Sequence, residues 1–516
     1  MSEENIVSDS GGGDSRSAAA QHRARLCAYR QKYHELLEAS HKKNKYLHRY
    51  IQHLLTRQVL PGSSVLDVGC GDGELLAALE PARGVGIDID AAVVAEARQK
   101  YPHLTFHAIA IEDVAELSLP PFDYVICSGV LQELYDVHTA LAAIRGVCHD
   151  RTRIIFCTYS RLWTPVLKIA ELLGRKFATP DESWLPRDEL PNLLAQNGME
   201  VIRQTSAVIA PAGLPIISDF LNRWLPPLPG VRQLGLSLLT VARPADINEG
   251  SNQPESVSVV VPVRNESGNI DSLLRRLPLM ARRQEVIFVE GHSSDDTWAV
   301  VQQAVADYHG PMKLSALQQA GRGKGNAVRT GFAAATGDIL MILDGDLSVP
   351  PEELPRFTQA IHRNFCEFAN GSRMIYPMED QAMQFLNMIA NKCFGLLFTF
   401  LLGQTLRDTL CGTKVLRRSD YARIAANRAY FGDFDPFGDF DLLFGAARLN
   451  LKIMDIPVHY KQRTYGQTNI SRFRHGVGGG PWAGCSIRRP RSCLLPPMVA
   501  GATVRAAGCG NGACNN

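Results

Sequence analysis

Several signals that would place a chain quickly are missing from these 516 residues. There is no excess of either charge: 54 Lys and Arg against 52 Asp and Glu leave +2. That balance argues against a dedicated nucleic-acid binder and leaves room only for local basic patches. The twelve cysteines contain no CxxC pair and no regular framework, so a reducing cytoplasm is expected rather than a disulfide scaffold. The N-terminus has no apolar signal segment. It reads "MSEENIVSDSGGGDSRSAAAQ", and residues 1–20 are expected to be a disordered leader. A long uncharged apolar run is missing too. The best candidate, "QFLNMIANKCFGLLFTFLLGQ", is broken by Asn387, Asn391 and Lys392 and falls short of the roughly 20 apolar residues of a membrane span. No internal repeat relates the two halves.

What is present is enough for more than one core, since chains of this length divide into domains. Residues 21–60 begin with "HRARLCAYRQKYHELLEASHKKNKYLHRYIQHLL", a basic, aromatic-spotted stretch expected to be helical. Residues 61–244 alternate apolar strands ("SVLDVGC", "GVGIDID", "LTFHAIA", "FDYVICSG", "TRIIFCTY", "VIRQTSAVIA") with helical segments, the pattern of an α/β sheet. A polar Pro/Gly/Asn-bearing linker at about 245–256 leads to a second α/β unit at 257–476. Its strands are expected at "VSVVVPV", "EVIFVE", "GDILMIL", "FANGSRMI" and "LKIMDIPVHY". Residues 477–516 have no period of 2 or 3.6 and hold four cysteines without zinc-site spacing. They are expected to be disordered, with the composition of a shifted reading frame.

Two constellations carry chemistry. In "VLDVGCGDGELL", Asp67, Gly69, Gly71 and Gly73 form a glycine turn between strand and helix, where a nucleotide-like ligand can approach the backbone. Asp88 ends the next strand, placed to accept two ribose hydroxyls. The spacing GxGxG is not the pyrophosphate pattern GxGxxG. In "GDILMILDGDLSVPPEEL" a buried strand runs into Asp344-Gly345-Asp346. Residues i and i+2 on an extended chain point the same way, so the two carboxylates converge and repel unless a proton or a cation compensates them; Mg2+ or Mn2+ would do so. A polar turn explains Asp-Gly equally well in isolation. The preceding "GRGKGNAVRTGF", with Arg322, Lys324 and Arg329, tips the balance, because a cationic glycine loop beside an acidic pair suits a diphosphate. Asp295 and Asp296 read as helix capping.

On "VLDVGCGDG", "GVGIDID", "AIAIEDV", "FDYVICSGVLQEL" and "DELPNLLAQNGMEVI", residues 61–244 resemble the class I S-adenosylmethionine-dependent methyltransferases. The resemblance implies a Rossmann-like fold. It implies that Asp67, Gly69, Gly71 and Gly73 hold the methionyl part, Asp88 the ribose, and that Asp113 lies near the adenine. Asp123 would be structural. Glu133 and His138 are candidates for a base, against the plainer reading of a capping Glu and a surface His. On "VVVPVRNESGNI", "GRGKGNAVRTGF", "DGDLS", "LRDTLCGTKVLRR", "FGDFDLLF" and "RTYGQTNISRFR", residues 257–475 resemble family 2 inverting glycosyltransferases of the GT-A fold, in the branch of polyprenyl-phosphate sugar transferases. That implies nucleotide contacts at Pro262, Arg264, Glu266 and Glu290, with metal and diphosphate at Asp344 and Asp346. It also implies that Lys324, Arg463 and Lys461 face phosphates. The family's Asp-Asp-Gly-Ser is here Glu290-Gly291-His292-Ser293, so one carboxylate is gone and the donor base stays open.

A phosphate acceptor is already anionic and needs no strong base, whereas a hydroxyl acceptor would. Asp439 and Asp441 are the candidates for that base, or else cap a helix. The expectation is an α/β fusion of methyltransferase and glycosyltransferase. It would be cytoplasmic and peripheral on the membrane, with the apolar segment near residue 396 at the interface or, alternatively, in the core. Its partners would be a nucleotide-sugar donor and a lipid-phosphate acceptor, and no nucleic acid. The rivals are a glycosyltransferase acting on a soluble glycan or hydroxyl acceptor, with the methyltransferase half modifying the same pathway, and a non-catalytic membrane-peripheral scaffold.

Overall fold

The computed structural model describes residues 12–32, 44–134, 136–172, 187, 189–211, 213–214, 217–226, 231, 234–245, 253–374, 376, 385–427 and 440–461. The expected tail, Asp439 and Arg463 fall outside this range.

Two helices, α1 (Gly12–Lys32) and α2 (Lys45–Thr56), precede the first sheet. α1 corrects the expected disordered leader: its first nine residues lie in the 1–20 segment. "SRSAAAQHRAR" is rich in strong helix formers, and their propensity outweighs the polar composition that suggested disorder. α2 is amphipathic and buries Tyr50, Ile51 and Leu55.

The first sheet contains β1 (Ser64–Val68), β2 (Arg83–Asp88), β3 (Thr105–Ala108), β4 (Phe122–Ser128), β5 (Cys148–Tyr159), β6 (Met199–Ala207) and β7 (Ser237–Pro244). Its order is β3-β2-β1-β4-β5-β7-β6. β1 to β5 are parallel and β7 is antiparallel to both neighbours. The helices α3 (Glu74–Ala78), α4 (Ala91–Lys100), α5 (Val137–Gly146), α6 (Thr164–Leu172), α7 (Glu189–Gln196) and α8 (Ile217–Trp224) fill the connections. Val65, Leu66, Val125, Ile126 and Ile155 are fully buried. Both faces are covered, which is why these strands read as unbroken apolar runs.

The second sheet contains β8 (Ser256–Val263), β9 (Arg283–Glu290), β10 (Lys313–Gln318), β11 (Ile339–Ile342), β12 (Phe368–Ser372), β13 (Lys414–Arg417) and β14 (Ile453–Pro457). The order is β10-β9-β8-β11-β13-β12-β14, with β13 antiparallel. Its helices are α9 (Ile270–Arg276), α10 (Thr297–Asp307), α11 (Lys324–Ala334), α12 (Leu354–His362), α13 (Phe385–Leu402), α14 (Arg418–Ala426) and α15 (Phe440–Arg448). The architecture is thus α/β twice over: a Rossmann-like sheet, then a GT-A-like sheet. In each, the parallel strands reverse order beside the first strand, and such a switch point leaves a crevice at the strands' carboxyl ends.

Candidate functional sites

At the first switch point, the turn after β1 is built on glycines. Gly69, Gly71 and Gly73 all have positive φ. A Cβ at Gly69 would lie 2.1 Å from Val130, and one at Gly73 would lie 2.8 Å from the Phe106 ring. Close packing behind the turn therefore excludes side chains there. Asp88, at the end of β2, accepts from the Gly71 N–H at 3.2 Å and from the Asp90 N–H at 3.0 Å. Asp90 caps α4 through the Ala92 N–H.

Asp67 is 1% exposed and its Oδ2 has no hydrogen-bond partner. Burial, then the nearby charges of Asp88 and Asp72, push its carboxyl up to about 8. α1 lies across this end of the sheet. Arg23 pairs with Asp113 at 3.1 Å and approaches Glu112 at 3.8 Å. His22 Nε2 meets the Glu133 carbonyl at 2.9 Å, and the Cys27 thiol approaches the Ile89 carbonyl at 3.7 Å. Asp123 bonds the Ser64 N–H and hydroxyl, fastening β4 to β1 from the far end of the strands. His138 is exposed at the start of α5, which Asp136 caps.

At the second switch point, Asp344 follows β11 and pairs with Lys324 Nζ at 2.7 Å. Lys324 opens α11, the helix that follows the glycine loop. Burial opposes ionisation of Asp344, but Lys324, Lys414 and Arg373 outweigh it and hold the carboxyl below its usual range. Asp346 is 7% exposed and accepts from the Ser348 N–H at 3.0 Å. Gly412 backs this pair: a Cβ there would stand 1.9 Å from Asp344 Oδ2 and 2.4 Å from Lys324 Nζ.

Glu290 ends β9, buried, and accepts from the Ser293 N–H and Gln318 Nε2. Glu266 is buried and accepts from Asn269 Nδ2. Pro262 is the last residue but one of β8, with its carbonyl against Gly345, and Arg264 is exposed just beyond the strand. Asp441 is in the first turn of α15, 3.9 Å from Arg329. Asp295 accepts from the Thr297 N–H and hydroxyl, and Asp296 is the α10 N-cap residue. Lys461 is exposed, and its N–H donates to the Ser348 carbonyl beside Asp346.

Sequence reasoning passed over a buried network beside this site. Asp408 is fully buried. It accepts from Arg373 Nε at 2.7 Å, Arg373 Nη2 at 2.9 Å, Asn391 Nδ2 at 2.8 Å and the Leu410 and Cys411 N–H groups. Burial alone would raise its pKa, but Arg373 brings it down to about 2. Buried Lys414 donates to Asn370 and to the Cys411 carbonyl. This network fixes the loop that carries Gly412. "RDTLCG" offered the residues, but only the fold brings Arg373 to them. Among the described residues, no group of three or more His, Cys, Asp or Glu is placed to hold a metal ion.

Each switch point thus gathers glycine-backed turns and strand-end carboxylates: Gly69 to Gly73 with Asp88 in one sheet, Gly412 with Asp344 and Asp346 in the other. Residues 66–154 match the family described as Methyltransferase domain, and residues 258–425 match Glycosyl transferase family 2. The chain is a fusion of a methyltransferase-type domain with a family 2 glycosyltransferase domain that resembles polyprenyl-phosphate sugar transferases. An undecaprenyl-phosphate 4-deoxy-4-formamido-L-arabinose transferase of Enterobacter sp. (strain 638) is 27% identical over 224 residues, covering 42% of this chain and 63% of that protein. A dolichol-phosphate mannosyltransferase of Pyrococcus furiosus is 35% identical over 121 residues, 23% of this chain and 33% of that protein. The chain therefore spans less than two thirds of the length of these relatives. A solved SAM-dependent methyltransferase of Thermotoga maritima, described as a possible histamine N-methyltransferase, aligns with 43% of this chain and 99% of its own length. Its identity is 15% and the TM-score 0.33.

Proposed function

We propose that the second domain transfers a sugar, with inversion, from a nucleotide-sugar donor to a lipid-phosphate acceptor at a membrane surface, and that the first transfers a methyl group from S-adenosylmethionine. The observation that carries the glycosyl reading is Lys324 paired with Asp344 beside Asp346, at the carboxyl end of the central strand. Mg2+ typically binds through one or two carboxylates, with substrate phosphates and water completing its shell. Asp344 and Asp346 fit that pattern and would hold the ion, which would neutralise charge on the leaving diphosphate. Lys324 would then turn from Asp344 to a phosphate oxygen. Pro262, Arg264, Glu266 and Glu290 would line the nucleotide, with Arg463 and Lys461 toward phosphates. The relatives' names, both polyprenyl-phosphate transferases, support a lipid-phosphate acceptor, whose anionic oxygen attacks without a strong base.

For the methyl half, a buried carboxylate with one unpartnered oxygen beside a glycine turn suits a cationic ligand. S-adenosylmethionine supplies a methyl group already activated on its sulfonium. Asp67 and the turn from Gly69 to Gly73 would hold the methionyl end, Asp88 the ribose and Asp113 the adenine side. The protein's remaining task is alignment of the acceptor. The glycosyl reading is tested by a donor screen against a polyprenyl-phosphate-containing lipid extract with Mg2+ or Mn2+. Sugar label in the lipid-phosphate fraction is expected. Label only in soluble or protein fractions overturns it.

A further inference from the structure

The two sheets meet at the amino-terminal ends of their parallel strands. Antiparallel β7 runs back to that end and stops at Pro244, and β8 starts the second sheet from its own amino-terminal end at Ser256. The contacts across the junction agree. Arg153 pairs in register with Tyr124 near the start of β4 and grips Glu367, which immediately precedes β12, at 2.7 and 2.8 Å. Arg243, near the end of β7, donates to the Asn364 carbonyl at 2.7 Å. Lys452, just before β14, pairs with Glu200 at the start of β6. The contact continues along the edge strand β6, where Arg203 donates to Asn450 at 3.0 Å and Gly403 lies against Thr205. Both candidate sites lie at the other ends of the strands: Gly69 to Gly73 and Asp88 in one sheet, Glu290 and Asp344 to Asp346 in the other.

We propose that the two reactions run at opposite poles of one body, and that the methyl acceptor arrives from water rather than as the lipid-linked sugar made at the other pole. The second clause rests on the lipid-phosphate reading of the glycosyl half. Strands rise about 3.3 Å per residue, so strands of seven and five residues laid end to end separate the mouths by roughly 40 Å. A sugar held at a bilayer under the glycosyl pole does not reach across that distance to the same molecule's methyl site. Leu162, Ile169, Leu172, Ile217, Phe220 and Leu234 are exposed on the segments that leave the carboxyl ends of β5 and β6. They rim the methyl pole. If a bilayer sat against them, the glycosyl site would face away from it.

The experiment uses the full chain with Cys27, Cys393 and the cysteines at 485, 493, 509 and 514 replaced by serine. Nitroxides at Glu74→Cys and Ser294→Cys, one at each pole, should lie at or beyond about 40 Å. A separation near half that value overturns the arrangement. On vesicles of anionic phospholipid with brominated chains, a fluorophore at Leu396→Cys should be quenched and one at Glu74→Cys should not. Equal or reversed quenching overturns the orientation. Absence of quenching at both positions sinks the membrane reading of the glycosyl half, while the distance still judges the poles. With vesicle-bound enzyme, cell extract and methyl-labelled S-adenosylmethionine, label should partition into water. Label in the lipid phase overturns the water-borne acceptor.

Discussion

Asp67 is the residue on which the methyl site can be tested most directly. Its carboxyl is raised to about 8 by burial and by Asp88 and Asp72, so below that pH the folded protein holds it largely neutral. A cationic cofactor favours the ionised form. S-adenosylmethionine affinity should therefore rise with pH toward 8 and level off above it, and calorimetric titration of Asp67→Asn should give a flat profile. Stability runs the opposite way. A raised carboxyl stabilises the fold most below its unfolded value of 3.8 and loses that contribution as pH climbs through about 8. Asp67→Asn should remove this loss, which runs from pH 3.8 to about 8. Asp88→Ala should weaken cofactor binding by about 1–3 kcal/mol through unpaired ribose hydroxyls; unchanged affinity would make Asp88 purely structural. In the other half, Asp344→Asn and Asp346→Asn should each lower sugar transfer at limiting Mn2+ by about a hundredfold or more, the scale of losing one electrostatic stabiliser of a developing anion. S-adenosylmethionine binding should not change. Wild-type transfer in either variant would retire the metal assignment.

Among the elements, α13 divides along its length into two faces with different roles. Phe398, Leu401 and Leu402 are buried in the core, whereas Phe394, Leu396 and Leu397 are 45%, 72% and 41% exposed. The sequence offered interface and core as alternatives; the helix buries one face in the core and leaves the other exposed. No described helix is long and apolar enough to cross a membrane. Leu396→Glu should weaken vesicle binding by roughly tenfold, about 1.4 kcal/mol, with the melting temperature unchanged. Leu401→Ala should instead destabilise the fold by about 2–5 kcal/mol. If Leu396→Glu binds vesicles like the wild type, the exposed face is not a membrane contact.

The same scale shows what the sequence could announce. β1, β2, β4, β8, β9 and β11 were legible because strands covered on both faces are continuous apolar runs. β10 is only half-buried at a sheet edge, and "KLSALQ" carries too little apolar pattern to stand out. β13 is four residues long, and "KVLR" is too short an apolar run to announce a strand. The glycine turns and strand-end carboxylates could be read locally. Arg23 over Asp113 and Arg373 on Asp408 could not, because those partners meet only through the fold.

At the scale of the whole molecule, the junction between sheets is held by charge in a dry place. The Arg153 and Arg243 side chains are fully buried and that of Glu367 is 2% exposed. Burial opposes ionisation of Glu367, but the two guanidiniums outweigh it and hold its carboxyl below the usual value of 4.5. Removing one partner from such a cluster is more damaging than never having had it, since the remaining charges are stranded away from water. Glu367→Ala leaves two arginines facing each other and should lower the unfolding free energy by about 3–5 kcal/mol. The triple change Arg153→Met, Arg243→Leu, Glu367→Leu should recover most of that loss, because apolar packing of similar volume often replaces a buried ion cluster without penalty. The wild-type contribution of Glu367 should be complete above pH 4.5 and fade as pH falls through its depressed folded value. Denaturant unfolding followed by tryptophan fluorescence checks each point. If Glu367→Ala loses less than about 1 kcal/mol, the cluster is too wet to bind the domains into one body, and the opposed placement of the two sites loses its main support.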